Sequence, residues 1–484
     1  MGGVGRNVNG KPWRHGARWT WLTLMRPIVH GMAQTGPQQR EYPVAEALQR
    51  RLGWTVLEWG DRPIPGPRTM TQDPVPPRAR RRRKFDLVLY GATGFVGRQT
   101  VAYVAAYRRN HAPGLRWALA GRSRDKLEQV RRAAGRGALE AAIVVADAHD
   151  GPALAALARN AHVVLSTAGP FDLFGGPLVA ACVAQGTHYV DITGETPWVR
   201  GLIDQHHDKA AVDGTRIIPL CGFDSVPSDI GAWMLMQAMQ ERHGVPCVDI
   251  KAAFRMRGGL NGGTLASALN AIGGEKARLL ADPFVLNPQP AGLDRQAHAD
   301  PVLPYFDGDF QAWLAPFVMG PVNTRVVRRS AALLGYGGNF HYQEHQRVGS
   351  GLVAGAGALT LSAAMAASQA ALGLAPVRAL ARRFAPKPGE GPSQSAMDKG
   401  SFRCELVGRS ADGKLVRGHV SDQGDPGNRA TTKMVCEAAL ALVLDTQALP
   451  GGPAYGGVLT PASGLGGVLV QRLRRAGMVL QVDP

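Results

Sequence analysis

The stretch DLVLYGATGFVG, Asp86 to Gly97, runs from five apolar-rich positions straight into three glycines spaced G-x-x-G-x-x-G. The first half suits a buried strand, and the continuation VGRQTVAYVAAYRRN suits a helix. Glycines at a strand-to-helix turn have separate uses. Gly91 permits the tight turn, Gly94 lets backbone approach a pyrophosphate, and Gly97 lets the helix lie close to the strand. The helix start then offers free N–H groups and a partial positive charge to the phosphates. Thr93, Phe95 and Val96 fill the turn between the glycines and join them as expected cofactor contacts.

Beyond this turn, strand and helix patterns alternate. LRWALAGR, AAIVVAD, AHVVLSTAG and THYVDITG read as strands, with SRDKLEQVRRAAG, GPALAALARN and GPLVAACVAQG as helices. Alternation of this kind implies a parallel sheet with right-handed crossovers. The expected class is α/β, an N-terminal Rossmann-type doubly wound sheet over residues 85–227. Residues 228–422, richer in Gly and Pro with longer alternating strands such as NFHYQEHQRVG, read as a second α+β substrate domain. Residues 423–484 read as C-terminal helices packing back on the first domain.

The end of the second strand selects the dinucleotide. A site for NAD places Asp or Glu there to bind the ribose hydroxyls. This chain has AGRSRDKL, so Arg122 and Ser123 occupy the place with Lys126 close by. A guanidinium bonds a 2′-phosphate that a carboxylate would repel, which favours NADP(H). Asp147, closing AAIVVAD, joins the cofactor-binding set. So do Thr167, Ala168 and Gly169 of STAGP, which follow a strand at the carboxyl edge where a nicotinamide should lie. No tyrosine from Tyr90 onward has a lysine four residues later, so Tyr-x-x-x-Lys reduction chemistry is excluded.

The net charge of +18 looks like a nucleic-acid signal, but residues 1–84 hold sixteen Lys/Arg against five Asp/Glu, including RARRRRK at Arg78 to Lys84. No nucleic-acid-binding motif accompanies it. Residues 1–84 are expected to be a disordered basic leader, with Met70 an alternative start, and no nucleic-acid partner is expected. The five cysteines are scattered without a C-x-x-C, as buried thiols of a reducing, cytoplasmic compartment would be. His341 and His345 in HYQEH sit on a strand pattern with no third ligand, so no metal is expected.

Several ordered motifs resemble the saccharopine dehydrogenase-like oxidoreductases, and among them the trans-acting enoyl reductases of lipid and polyketide assembly. They are STAGPFDLFGGPLVAACVAQGTHYVDITGE (Ser166 to Glu195), CGFDSVPSD (Cys221 to Asp229), GGT (Gly262 to Thr264), PKPGEGPS (Pro386 to Ser393) and GGVLTPASGLGGVLVQRL (Gly456 to Leu473). The resemblance covers about residues 85–484. It implies reduction of a carbon–carbon double bond conjugated to a thioester, or of an imine in the saccharopine branch, on an acyl or lipid intermediate carried by a synthase.

Such a reduction needs a proton source and a donor for the carbonyl oxygen. The loops DITGE and GFDSVPSD face the expected nicotinamide. Glu195 and Asp224 are the candidate proton relays and Ser225 the candidate oxyanion donor; helix capping is the competing reading for each. A cofactor-binding scaffold without turnover is the alternative of a different class. The uncharged stretch Val348 to Val377 is long enough to span a bilayer, but its Ala, Gly and Ser content favours a buried or surface-associated helix. Peripheral membrane association and a homodimer stand as further partner readings.

Overall fold

The computed structural model describes residues 83–258, 274–288, 294–384 and 389–484. The basic leader up to residue 82, the GGT motif and the first residues of PKPGEGPS lie outside the described residues.

The strand of the opening stretch, β1 (Phe85–Tyr90), is buried throughout its apolar positions and lies mid-sheet. It is paired in parallel with β2 (Trp117–Gly121) on one side and β4 (Ala161–Ser166) on the other. Beyond β2 lies β3 (Ala142–Val145), and beyond β4 lie β5 (His188–Asp191) and β6 (Arg216–Ile218). The order 3-2-1-4-5-6 reverses between β1 and β4, so a crevice opens at their carboxyl ends. Helices α1 (Phe95–His111), α2 (Arg124–Ala133), α3 (Gly151–Asn160), α4 (Phe171–Gln185) and α5 (Thr196–Val212) make the crossovers.

The C-terminal part completes this sheet. Gly457–Val458 pairs in parallel with β6 as a seventh strand, and helix Thr431–Leu444 packs against α1, β4 and β5. Thr431 bridges the two parts, because its Oγ1 accepts from Phe223 N at 3.1 Å and donates to Pro426 O at 2.9 Å.

At the other end of the basic run, Arg83 is tied into the fold. Its guanidinium donates to Ala158 O at 2.9 Å, Ala161 O at 2.5 Å, Gln185 O at 2.7 Å and Gly186 O at 2.9 Å. The expected leader boundary after residue 84 therefore moves: Arg83 closes the ends of α3 and α4.

The second sheet also has seven strands among the described residues, and of these only β7 (Asp249–Arg257) and β10 (His341–Gly349) pair in parallel. Strands β8 (Tyr305–Asp307) and β9 (Ala312–Pro316) extend it beyond β10. Helix α6 (Val226–His243) lies on its strands β11 (Ser401–Arg409) and β12 (Leu415–Gln423). Close approach is possible because Gly231 has no side chain; a Cβ there would fall 2.9 Å from Leu406. Two more helices, α7 (Gly274–Ala281) and α8 (Gly320–Leu334), precede β10 in the chain.

The uncharged stretch forms one 22-residue helix, α9 (Gly351–Leu372), the single described helix long and apolar enough to cross a membrane. A buried helix is one expectation for it, and the structure corrects this. Only Gly355, Ala358 and Ser362 are buried. Gly355 sits so close on Trp313 that a Cβ would fall 2.8 Å from the indole. Small residues serve that one seam, Met365 and Leu372 turn toward the neighbouring cleft, and most of the remaining helix surface is exposed.

Candidate active site

The crevice continues into a cleft of about 2300 Å³ that runs from the glycine turn to the second sheet. The turn is fixed by contact. Gly91 has φ +80°, and a Cβ there would lie 2.8 Å from Ala168 N. A Cβ on Gly97 would lie 2.2 Å from Gly91 O, so α1 starts pressed against the end of β1. Thr167 N donates to Tyr90 O at 2.9 Å, locking the ends of β1 and β4 together. No side chain caps the start of α1, and its first turn carries no acid. Its N-terminal N–H groups and dipole thus remain suited to an anion.

Eleven of the thirteen expected cofactor residues line the cleft: Gly91, Thr93, Gly94, Phe95, Val96, Arg122, Lys126, Asp147, Thr167, Ala168 and Gly169. Gly97 does not, because it is taken up in packing α1 against β1. Ser123 instead caps α2, accepting from Lys126 N at 3.5 Å. Arg122 and Lys126 put two cations at the end of β2, where a 2′-phosphate would lie. Segment 389–398 covers the turn from above: Arg98 donates to Gly389 O at 3.0 Å, and a Cβ on Gly391 would fall within 2.6 Å of the Phe95 ring.

The three chemical candidates part company. Glu195 lines the cleft, but both carboxylate oxygens accept from the first N–H groups of α4, those of Phe171 and Asp172, at 2.9 Å each. Asp224 lines the cleft too, and burial lifts its carboxyl to about 6. The expectation for Ser225 finds no support in the geometry: its side chain is buried at the start of α6, outside the cleft lining.

Two neighbouring acids are structural. Asp191 accepts from Thr193 N and Leu220 N at 3.0 Å, and Asp229 accepts from Ala462 N at 2.7 Å. Burial raises each to about 7.

Sequence reasoning missed a pair on the opposite wall. Lys433 Nζ lies 2.7 Å from Asp422 Oδ2, and both residues line the cleft with Thr432, whose hydroxyl is buried without a partner. The signal available was an ammonium inside TTKMVCEAALALVLD, a helix otherwise apolar on most faces. Beyond these polar groups, the cleft is walled by Leu280, Val318, Met319, Val322, Met365 and Leu372, an apolar limb lined from α7, the start of α8 and α9.

Among the described residues no three His, Cys, Asp or Glu side chains meet as a metal site would require. His341 Nδ1 pairs with Asp249 at 2.8 Å and His345 Nε2 with Tyr305 at 3.2 Å.

Comparison with known proteins agrees with this geometry. The saccharopine dehydrogenase NADP binding domain family matches residues 87–218, and the domain binds NADP(H). A Mycobacterium tuberculosis protein named as a trans-acting enoyl reductase is 41% identical over 418 residues, covering 82% of this chain and 97% of its own length. A Mycobacterium leprae trans-acting enoyl reductase is 36% identical over 424 residues, covering 82% and 98%. Among solved structures, a saccharopine dehydrogenase (L-Glu forming) from Saccharomyces cerevisiae covers 82% of this chain and 99% of its own at 15% identity, with a TM-score of 0.45. On its sequence relatives and its NADP-binding domain, the chain belongs to the saccharopine dehydrogenase-like oxidoreductases, in the branch of the trans-acting enoyl reductases.

Proposed function

We propose that this oxidoreductase uses NADPH to reduce a carbon–carbon double bond conjugated to a thioester carbonyl, on an acyl or lipid chain carried by a separate synthase. The names of its relatives support the reaction class and the trans-acting arrangement. The observation that carries the reading is the composition of the cleft. One continuous space holds a dinucleotide turn, an apolar limb, and a carboxyl group whose proton affinity burial has raised to about 6.

Bound NADPH would supply hydride to the β-carbon. The chain's own residues supply the rest. Asp224 holds the proton for the α-carbon, since a carboxyl near 6 is partly protonated at working pH and transfers a proton with little driving-force penalty. Lys433, held by Asp422, presents a cation that stabilises the negative charge developing on the carbonyl oxygen. Glu195 fixes the start of α4, and with it Gly169 and Pro170 beside the cofactor. The apolar limb favours an acyl chain over the several carboxylates of a saccharopine-type substrate.

The test is NADPH oxidation by the purified chain with an α,β-unsaturated acyl thioester, with the saturated product identified by mass. Asp224→Asn should lower turnover by roughly 10²–10⁴-fold with NADPH affinity unchanged within a few-fold. NADPH binding without oxidation, across thioesters of several chain lengths, would leave the scaffold reading in its place. Turnover of an imine but no enoyl thioester would assign the chain to the saccharopine chemistry.

A further inference from the structure

Helix α9 does two things at once. One face walls the apolar limb of the cleft through Met365 and Leu372, while most of its other surface meets solvent. Leu352 is 91% exposed, Val353 88% and Leu359 60%. The patch extends onto the second sheet. Trp313 packs under Gly355, and its cross-strand partner Phe306, whose ring lies 6.0 Å from the indole, stays half-exposed on the same face. Isolated exposed leucines are ordinary, but a two-turn-and-longer apolar face continuous with a substrate cleft marks a contact surface.

The charge pattern selects the occupant. After α9 comes the helix Ala375–Phe384, whose sequence APVRALARRF carries three arginines and no acidic residue. An uncharged helix running into a purely basic segment matches an anionic lipid surface, with apolar side chains in the acyl boundary and cations at the headgroups. A two-fold contact between copies fits poorly: antiparallel pairing of α9 would set each basic end against the positive N-terminal dipole of the other helix. A spanning arrangement fails as well, because the Gly355–Ala358–Ser362 seam is already packed on the second sheet.

We propose that α9 and the basic helix Ala375–Phe384 after it form a docking surface for anionic lipid bilayers, lying in the interface plane with the apolar limb of the cleft opening beside the membrane. A lipid-borne acyl chain then enters the cleft along α9 without crossing water. This docking stands independently of the proposed reduction, since it reads only the outer face.

The experiment is flotation of the full chain with vesicles of phosphatidylglycerol and phosphatidylcholine, against phosphatidylcholine alone. The leader is also basic, so a local readout is needed. The triple variant Leu352→Asp, Val353→Asp, Leu359→Asp keeps the leader intact, and Val353→Trp reports insertion through quenching by brominated lipids. We expect anionic vesicles to float the unmodified chain, the triple variant to bind at least tenfold more weakly with NADPH affinity unchanged, and the Val353→Trp indole to be quenched. Arg378→Glu with Arg383→Glu should weaken binding further at low salt. Undiminished flotation of the triple variant would assign the binding to the leader and overturn the proposal. An unquenched indole would overturn it equally. So would a dimer in sedimentation analysis that the triple variant dissociates while vesicles fail to bind, which would make the face a contact between copies.

Discussion

Glu195 and Phe171 are joined across 24 residues by a hydrogen bond of 2.9 Å, the Phe171 backbone N–H donating to Oε1. The second oxygen accepts from Asp172 N at the same distance. A carboxylate placed over two unsatisfied N–H groups at a helix start is stabilised by both the bonds and the dipole. Glu195→Gln keeps one acceptor but turns an amide N–H₂ toward the other donor. We expect a loss of about 1–2 kcal/mol in stability, read by denaturant unfolding, with kcat of the folded protein within a few-fold of the unmodified chain. A loss of turnover by a hundredfold or more at unchanged stability would return Glu195 to the role of proton relay.

Asp224 should behave in the opposite way. Its carboxyl is raised to about 6 by burial alone, so the fold favours the protonated form. The stability this group contributes is fully present below the unfolded carboxylate value of about 3.9 and is lost as pH rises through about 6. Asp224→Asn removes that loss. At pH 7 the variant should be more stable, by up to about 3 kcal/mol for the full shift and less because the residue keeps partial exposure to the cleft. The gain should vanish below about pH 4, and turnover should fall at every pH. Unfolding curves at pH 4 and pH 7 check the sign.

These two acids show where the sequence was legible and where it stopped. The glycine turn, β1 and the cations after β2 could be read because each depends on local chain: period, turn geometry, charge at a strand end. Helices after GATGFVG and after AGRS follow from the same patterns. Glu195 and Asp224 sit in similar Gly- and Ser-containing loops, and their difference lies in which backbone N–H groups fold against them. Lys433 lies 209 residues from Asp224 in the chain, and its helix reaches the same cleft through packing on α1, β4 and β5 together with the Thr431–Phe223 bond. Gly457–Val458 is too short a strand to announce itself, yet it extends the first sheet. The outward face of α9 was hidden for another reason: Ala and Gly suit a buried seam and an interfacial face equally well.

Arg122 should set cofactor choice. It lines the cleft at the end of β2, where an NAD-type site would carry an acid. A charged hydrogen bond is worth about 1.5–3 kcal/mol, so Arg122→Asp should weaken NADPH binding by about one to two decades and leave NADH within a few-fold. Fluorescence titration with both cofactors measures this. Equal affinities of the unmodified chain for the two would remove the role.

Arg83 divides two truncations that the sequence alone would treat alike. Removing residues 1–82 spares a guanidinium that donates to carbonyls at the ends of α3 and α4. Removing residues 1–84 takes that guanidinium away and leaves Thr187 Oγ1 alone to donate to Ala158 O and Ala161 O, at a cost of about 1.5–3 kcal/mol. The longer truncation should therefore melt roughly 2–4 °C below the shorter one, and Arg83→Ala in the shorter chain should reproduce most of the difference. Identical melting of both truncations would mean the clamp contributes nothing.

The Lys433–Asp422 pair makes the sharpest test of the cleft wall, because its two halves fail differently. Asp422 keeps only 6% side-chain exposure and Lys433 20%. Desolvation raises the Asp422 carboxyl and the Lys433 ammonium opposes that rise. Lys433→Met leaves a desolvated carboxylate without its counter-charge, which costs a few kcal/mol at neutral pH. Adding Asp422→Asn removes the stranded charge, so the double variant should regain a large part of the loss, a coupling of about 1–3 kcal/mol. Catalysis should obey the other rule. If Lys433 stabilises charge on the substrate oxygen, the double variant recovers its fold but stays as slow as Lys433→Met, with turnover down roughly 10²–10³-fold. Denaturant unfolding and NADPH oxidation on the same three variants separate the two effects. Recovery of turnover together with stability would make the pair a brace for the helix start at Thr431, and would leave Asp224 as the one charged group acting on substrate.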